Sequence, residues 1–229
     1  MIVTIHQPEY LPYLGFFERL LHADTLVLLD MVQFQRGGFI NRNRIRTPTG
    51  WEWLTVPIVG RKKDVKKSIQ SVRIDQEKPW REKHLRAIES NYSKTPYFRD
   101  FFPAIKEILS RKWERVSELD VALIEWVISL FGLKLSVVKS STLPVAGAST
   151  ELLARICAEL GADTYLSGPG GKNYLQMDNF SEAGIRVDFH DFKHPIYPQQ
   201  FPGTFEPNLS VIDYIFNCGN DLEDKKNHR

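Results

Sequence analysis

Residues 24–30 read DTLVLLD, a continuous apolar run of strand length closed by an aspartate at each end. A run of this kind, with no polar alternation, suits a parallel sheet covered on both faces. Ahead of it, Ile2–Ile5 has the same character, and YLGFFERLLH places apolar residues at 14, 16, 17, 20 and 21, the spacing of a helix with one buried stripe. Strand, helix and strand within thirty residues make a βαβ unit, which crosses over right-handed.

The pattern returns late in the chain. Strand-like runs recur near 135, 164 and 186, and STELLARICAEL reads as a helix capped by Ser149 and stopped near Gly161. NLSVIDYIFNCG reads as a last helix ending at Gly219. These alternations predict an α/β fold, a Rossmann-like parallel sheet flanked by helices, built from residues 1–34 and 132–219. Residues 35–131 differ and are expected to be a mixed α+β insertion. There WEWLTVPIV (51–59) and SIQSVRI (68–74) are expected to pair antiparallel across the basic loop GRKKDVKK, with Pro57 at an edge. Three helices should follow, over 79–91, 101–112 and 116–131. The tail 220–229 is expected to fray.

Net charge is only +2, so overall balance identifies no partner. Distribution is more telling: ten of the thirty Lys and Arg lie between Arg36 and Arg73, against two acids, and such a patch attracts phosphates or other anions. Cys157 and Cys218 are too few for a disulfide framework, and Cys157 is expected as a reduced core thiol. MIVTIHQ lacks the basic start and long apolar stretch of a signal peptide, and no run is long enough to span a bilayer. A soluble, cytoplasmic protein without membrane insertion is expected.

In open α/β sheets, ligands collect at the carboxyl ends of the strands near a switch point. The predicted strand ends here are polar: His6-Gln7, Asp30, Ser140-Ser141-Thr142, LSGPGGKNYL (166–175) and His190-Asp191. Glycines ahead of a helix let backbone amides approach an anion, so Ser167, Gly168, Gly170, Gly171, Lys172, Asn173 and Tyr174 read either as a ligand loop or as a tight turn. It is not a Walker A loop, because Asn173 stands where Ser or Thr is required. His6 is either a neutral-pH acid–base group or a structural strand end, with Pro8 and Pro12 stiffening the loop beyond it. Arg42, Arg44 and Arg46 alternate with Asn41, Asn43 and Ile45, so an extended segment presents a guanidinium row to phosphate or carboxylate, or else a charged edge strand. In the stretch 191–213, with prolines at 195, 198, 202 and 207, His194 and Tyr197 either face a pocket or belong to a wrap over the sheet. His190, Asp191 and His194 cluster without a fixed ligand geometry, and no metal site is expected.

Five blocks in order, IHQPEYLPYLGFFERL, FINRNRIRTPTGWEWLTVPI, GADTYLSGPGGKNYL, FKHPIYPQQ and LSVIDYIFNCG, resemble the WbqC-like family of bacterial proteins from the first residue to about Gly219. That resemblance implies a role in making or decorating surface polysaccharides such as O-antigen. The expectation is a transferase moving an acyl or aminoacyl group to a nucleotide-linked amino sugar. His6 or His194 would accept the proton. Gln7 and Asn43 would orient substrate, and the glycine loop and arginine row would bind phosphate, with Asp30 and Tyr197 contributing. A nucleotide-sugar, or another phosphorylated small molecule, is the expected ligand, with aminoacyl-tRNA as a further partner. The cofactor is unknown. Alternatives are a tRNA-docking protein, a non-catalytic partner of an assembly complex, and a nucleotidyltransferase-like enzyme. The last rests on a weaker similarity to pantothenate synthetases and cytidylyltransferases, whose HxGH spacing this chain lacks.

Overall fold

The computed structural model describes residues 1–60 and 67–222. In chain order the first elements are β1 (Ile2–His6), α1 (Leu14–Leu20), β2 (Thr25–Leu28), β3 (Arg42–Thr47) and β4 (Gly50–Thr55). Then come α2 (Trp80–Tyr92), α3 (Phe98–Ser110), α4 (Val116–Leu130), β5 (Ser136–Lys139) and α5 (Ser149–Glu159). The last are β6 (Thr164–Ser167), α6 (Asp178–Ser181), β7 (Arg186–Phe189) and α7 (Val211–Cys218).

The five strands expected from their apolar runs form one sheet in the order β5-β2-β1-β6-β7. Every neighbouring pair is parallel. The chain winds outward from β1 through β2 to β5, then returns to the other side of β1 for β6 and β7, so all five carboxyl ends share one edge. Alternate side chains divide two cores. Leu26 and Leu28 face α1 and the helices of the middle segment, while Val3, Ile5 and Val27 face α5 and α6. Each fully buried Leu or Phe in these layers is worth about 1.5–3 kcal/mol. α5 stops where the sequence suggests: Gly161 adopts a φ of 68°, the left-handed conformation that ends a helix without Cβ strain.

The middle segment departs from expectation. The strands that pair are β3 and β4, in register from Arg42↔Thr55 to Thr47↔Gly50. Pro48-Thr49 makes the turn, and Gly50 takes a φ of 129° to complete it. Residues 68–74 are not a strand: Ile69–Ser71 form a 3₁₀ turn, joined to the rest by isolated bridges such as Ile58↔Ile74. Asn43 and Ile45 point inward, as does Leu54, the cross-strand partner of Asn43, and this register decides the pairing. Most of the basic loop, residues 61–66, lies outside the described residues. The three helices occur close to their predicted spans, although the second begins at Phe98. Residues 220–222, expected as frayed tail, are anchored: Leu222 is buried, and Asn220 Nδ2 donates to Leu130 O at 3.0 Å. Among the described residues no helix is long and apolar enough to cross a membrane.

Candidate functional site

Strand order reverses between β1 and β6, and the sheet opens there. β1 pairs with β2 as far as His6↔Leu28, but its ladder with β6 contains only Ile2↔Thr164 and Val3↔Tyr165. A crevice of about 560 Å³ lies beyond, within the ~300–1,000 Å³ typical of small-molecule sites. His6, Gln7 and Glu9 line it from the end of β1, Tyr165 and Tyr174 from β6 and the loop after it. The amino-terminal end of α5 adds Ser149 and Leu152. Ser149 is the first residue of that helix and holds a φ of 51°, a conformation that strains a residue with a Cβ. The N-cap position falls on Ala148, not on Ser149 as the sequence suggests.

The loop carrying Glu9 is fixed from three directions. Tyr10 N donates to Phe39 O at 3.0 Å, the Tyr10 hydroxyl meets His84 Nδ1 at 2.8 Å, and Asn43 Nδ2 donates to Leu11 O at 2.7 Å. Asn43, expected to orient substrate, therefore orients this loop.

Charge in the crevice is set by desolvation. Burial, and then the nearby Arg19 cation, push His6 down to about 3, although 28% of its side chain remains exposed. His6 is neutral near pH 7, and its 4.0 Å approach to Glu9 is not an ion pair. Its Nδ1 lies 2.9 Å from Gln7 O, an acceptor, so Nδ1 carries the proton and Nε2 is left as an acceptor. Glu9 moves the other way: burial pushes it up to about 7, against the pull of Arg19. A carboxyl poised there exchanges protons at neutral pH.

Arg19 is only 5% exposed and lies on α1 among Phe16, Phe17 and Leu20. Its charge acts on His6, Glu9 and Tyr165, all of which line the crevice. Among the described residues its Nε and Nη2 have no hydrogen-bond partner. A buried guanidinium with unpaired donors is costly and favours an anion that can reach it. Behind Glu9, the fully buried Asp120 is pushed well above the usual carboxylate range by burial and by Glu9 itself.

Other sequence candidates sit elsewhere. Gly168 makes room for Arg19: a Cβ there would stand 2.6 Å from Nη1. Gly171 packs over Ser167, whose hydroxyl donates to Gly168 O at 3.1 Å. Pro169–Asn173 is a 3₁₀ turn that reaches the crevice through Tyr174, whereas Gly170 meets nothing nearby and Lys172 lies 5.5 Å from the Phe189 ring on the β7 side. Arg42 and Arg44 stack over Trp53 and Trp51 on the β3–β4 hairpin, at 4.0 and 5.0 Å, while Arg46 is buried and donates to Gly50 O at 2.7 Å. Asp30 is a clamp, accepting from Ser140 Oγ, Ser141 N and Ser141 Oγ at 2.8–3.0 Å. Tyr197 is buried and donates to Asp213, and His194 packs between Phe192, Tyr197 and Phe205. His190 turns away from Asp191 and His194 and meets Glu18.

Sequence reading missed Glu9 and Arg19. The signal for Arg19 was present, a cation inside the apolar stripe FFERLL. Glu9 gave none of its own, because its character comes from burial.

The sequence profile of the WbqC-like protein family matches residues 7–225. An uncharacterized protein of Mycobacterium tuberculosis (strain ATCC 25618 / H37Rv), Rv1507c, is 32% identical over 223 residues, covering 97% of this chain and 96% of its own. No solved structure matches the chain. On both the profile match and this full-length relative, the chain belongs to the WbqC-like protein family.

Proposed function

We propose that the protein is a transferase that acylates or aminoacylates the amino group of a nucleotide-linked sugar, in the surface-polysaccharide setting that the family resemblance implies. The observation that carries this reading is the buried Arg19 guanidinium, whose Nε and Nη2 have no hydrogen-bond partner among the described residues, beside a crevice that also holds Glu9. An anionic group of the nucleotide-sugar pairs with Arg19, aided by the positive end of α5. Glu9 takes a proton from the sugar amine as its nitrogen attacks the carbonyl carbon of an activated donor. The new N–C bond forms, the bond from that carbon to the leaving atom breaks, and Glu9 returns the proton to the leaving group. Neutral His6 accepts a hydrogen bond through Nε2, and Gln7 orients the sugar. Glu9 suits the proton-accepting role better than His6, because an imidazole held near 3 is a weak base at neutral pH.

The test is to incubate the chain with UDP- and dTDP-linked amino sugars and either acyl thioesters or aminoacyl-tRNA, reading the acyl mass increment on the sugar. An increment with one donor class, reduced about 100-fold or more in Glu9→Gln, supports the reading. No increment with any donor and no saturable binding of any nucleotide-sugar removes it.

A second reading concerns the donor. Phe39 and Trp51 are 39% and 42% exposed beside the stacked Arg42 and Arg44, and aromatic rings interleaved with guanidiniums suit phosphates and unpaired bases. This hairpin favours aminoacyl-tRNA as the donor.

A further inference from the structure

A second cavity, about 980 Å³, lies on the α1 face of the sheet, over β6 and β7. Glu18, His22 and His190 all line it. Glu18 sits in the last turn of α1 and His22 just beyond its end, so their four-residue spacing sets both on one face. His190 follows β7, and His190 N donates to Ser167 O at 2.8 Å, fixing its backbone to the neighbouring strand. The topology thus brings an imidazole from the far end of the chain onto an E-x-x-x-H pair near its start.

The three side chains converge through their donor atoms. His22 Nε2 lies 3.7 Å from Glu18 Oε1, and His190 Nε2 meets Glu18 Oε2. All three ligand atoms fall within 4.8 Å of one another, and the two rings are 5.6 Å apart. Burial is graded: the His190 side chain is 6% exposed, Glu18 18% and His22 36%. A simple ion pair needs one imidazolium against one carboxylate. Here two imidazoles turn the same nitrogen toward a single carboxylate, and charging both would set like charges side by side. A divalent cation between them satisfies all three groups at once.

We propose that Glu18, His22 and His190 bind a divalent transition metal, with Zn²⁺ the first candidate, and that an open coordination position faces the second cavity. Two imidazoles and a carboxylate suit zinc and similar metals, whereas Mg²⁺ and Ca²⁺ favour all-oxygen shells. Three protein ligands with a solvent-accessible fourth position resemble a catalytic zinc centre, not a closed structural one. The site lies apart from Arg19 and Glu9 in its ligands, so the transferase reading can fail without it, and the reverse. It departs from the sequence expectation that no metal is held.

Equilibrium dialysis of the chelator-treated full chain against Zn²⁺ tests the proposal, with Mg²⁺ as competitor. One Zn²⁺ per chain is expected, undisturbed by excess Mg²⁺. Glu18→Gln, His22→Ala and His190→Ala should each weaken binding by more than the roughly 10–100-fold that loss of an outer-shell partner costs. His194→Ala should bind as the wild type does. Should a ligand variant fail to fold, pulsed EPR of the Cu²⁺-loaded wild type replaces it, with two coupled imidazole nitrogens expected. Negligible zinc in the wild type, wild-type affinity in the folded ligand variants, or a Cu²⁺ spectrum without two imidazoles would overturn the proposal.

Discussion

Gly168 and Arg19 are locked together: the guanidinium occupies the space a side chain at residue 168 would need, with Nη1 2.6 Å from the position of a Cβ. The glycine after β6 thus serves a neighbouring cation. Gly168→Ala should push that group aside, costing about 1–3 kcal/mol of stability from overpacking. Nucleotide-sugar affinity should fall about tenfold or more. Calorimetry and thermal melts read both, and unchanged affinity in a folded Gly168→Ala protein contradicts this pairing.

Glu9 ties the crevice to pH. Its ordinary value is 4.5, and burial raises it to about 7 in the folded chain. The folded state therefore holds this proton more tightly, and the associated stability is complete below pH 4.5 and lost as pH rises through 7, by roughly 3 kcal/mol. Glu9→Gln should remove that slope and be relatively more stable at pH 8. Denaturant titrations across pH 4–8 check this, and parallel curves for the two proteins refute the assignment.

Asp30 lies just beyond β2 and holds the turn after β5 through its bonds to Ser140 and Ser141. Asp30→Ala should cost about 3 kcal/mol, because hydroxyl and amide donors lose a charged acceptor. Ligand affinity measured on the folded fraction should not change. A selective loss of affinity at wild-type stability returns Asp30 to the binding site.

Tyr197, Tyr92 and Gln199 all donate to the buried Asp213, at 2.8–2.9 Å. Tyr197→Phe should lower stability by about 1–2 kcal/mol while leaving transfer intact. His194→Ala should likewise spare the reaction. Loss of turnover in either folded variant makes the proline-rich loop part of the chemistry.

The sheet was legible because its strands are short apolar runs, and the polar end of β1 pointed to the edge where the crevice opens. What escaped was decided by long-range contact. β3 pairs with β4 because Asn43, Ile45 and Leu54 face the core together, a register that the alternating Arg42, Arg44 and Arg46 obscured. Glu9 and Arg19 looked like ordinary surface charges in HQPEYL and FFERLL. Burial where β1 and β6 part shifts the charge behaviour of both. Lys172 was the more conspicuous cation, yet it lies over Phe189.

If aminoacyl-tRNA docks on the β3–β4 hairpin, its affinity should fall steeply with salt, as phosphate contacts dictate. Trp51→Ala should weaken it by about 1–3 kcal/mol. Filter binding across a salt series settles the point, and a flat response discards tRNA as a partner.

Arg19→Met tests the central claim most directly. Replacing a buried cation whose Nε and Nη2 have no hydrogen-bond partner among the described residues with an apolar side chain relieves a desolvation cost, so without ligand the variant should melt at or above the wild-type temperature. Calorimetric titration with nucleotide-linked amino sugars should then show saturable binding to the wild type and none to this well-folded variant. Wild-type affinity in Arg19→Met would contradict the account.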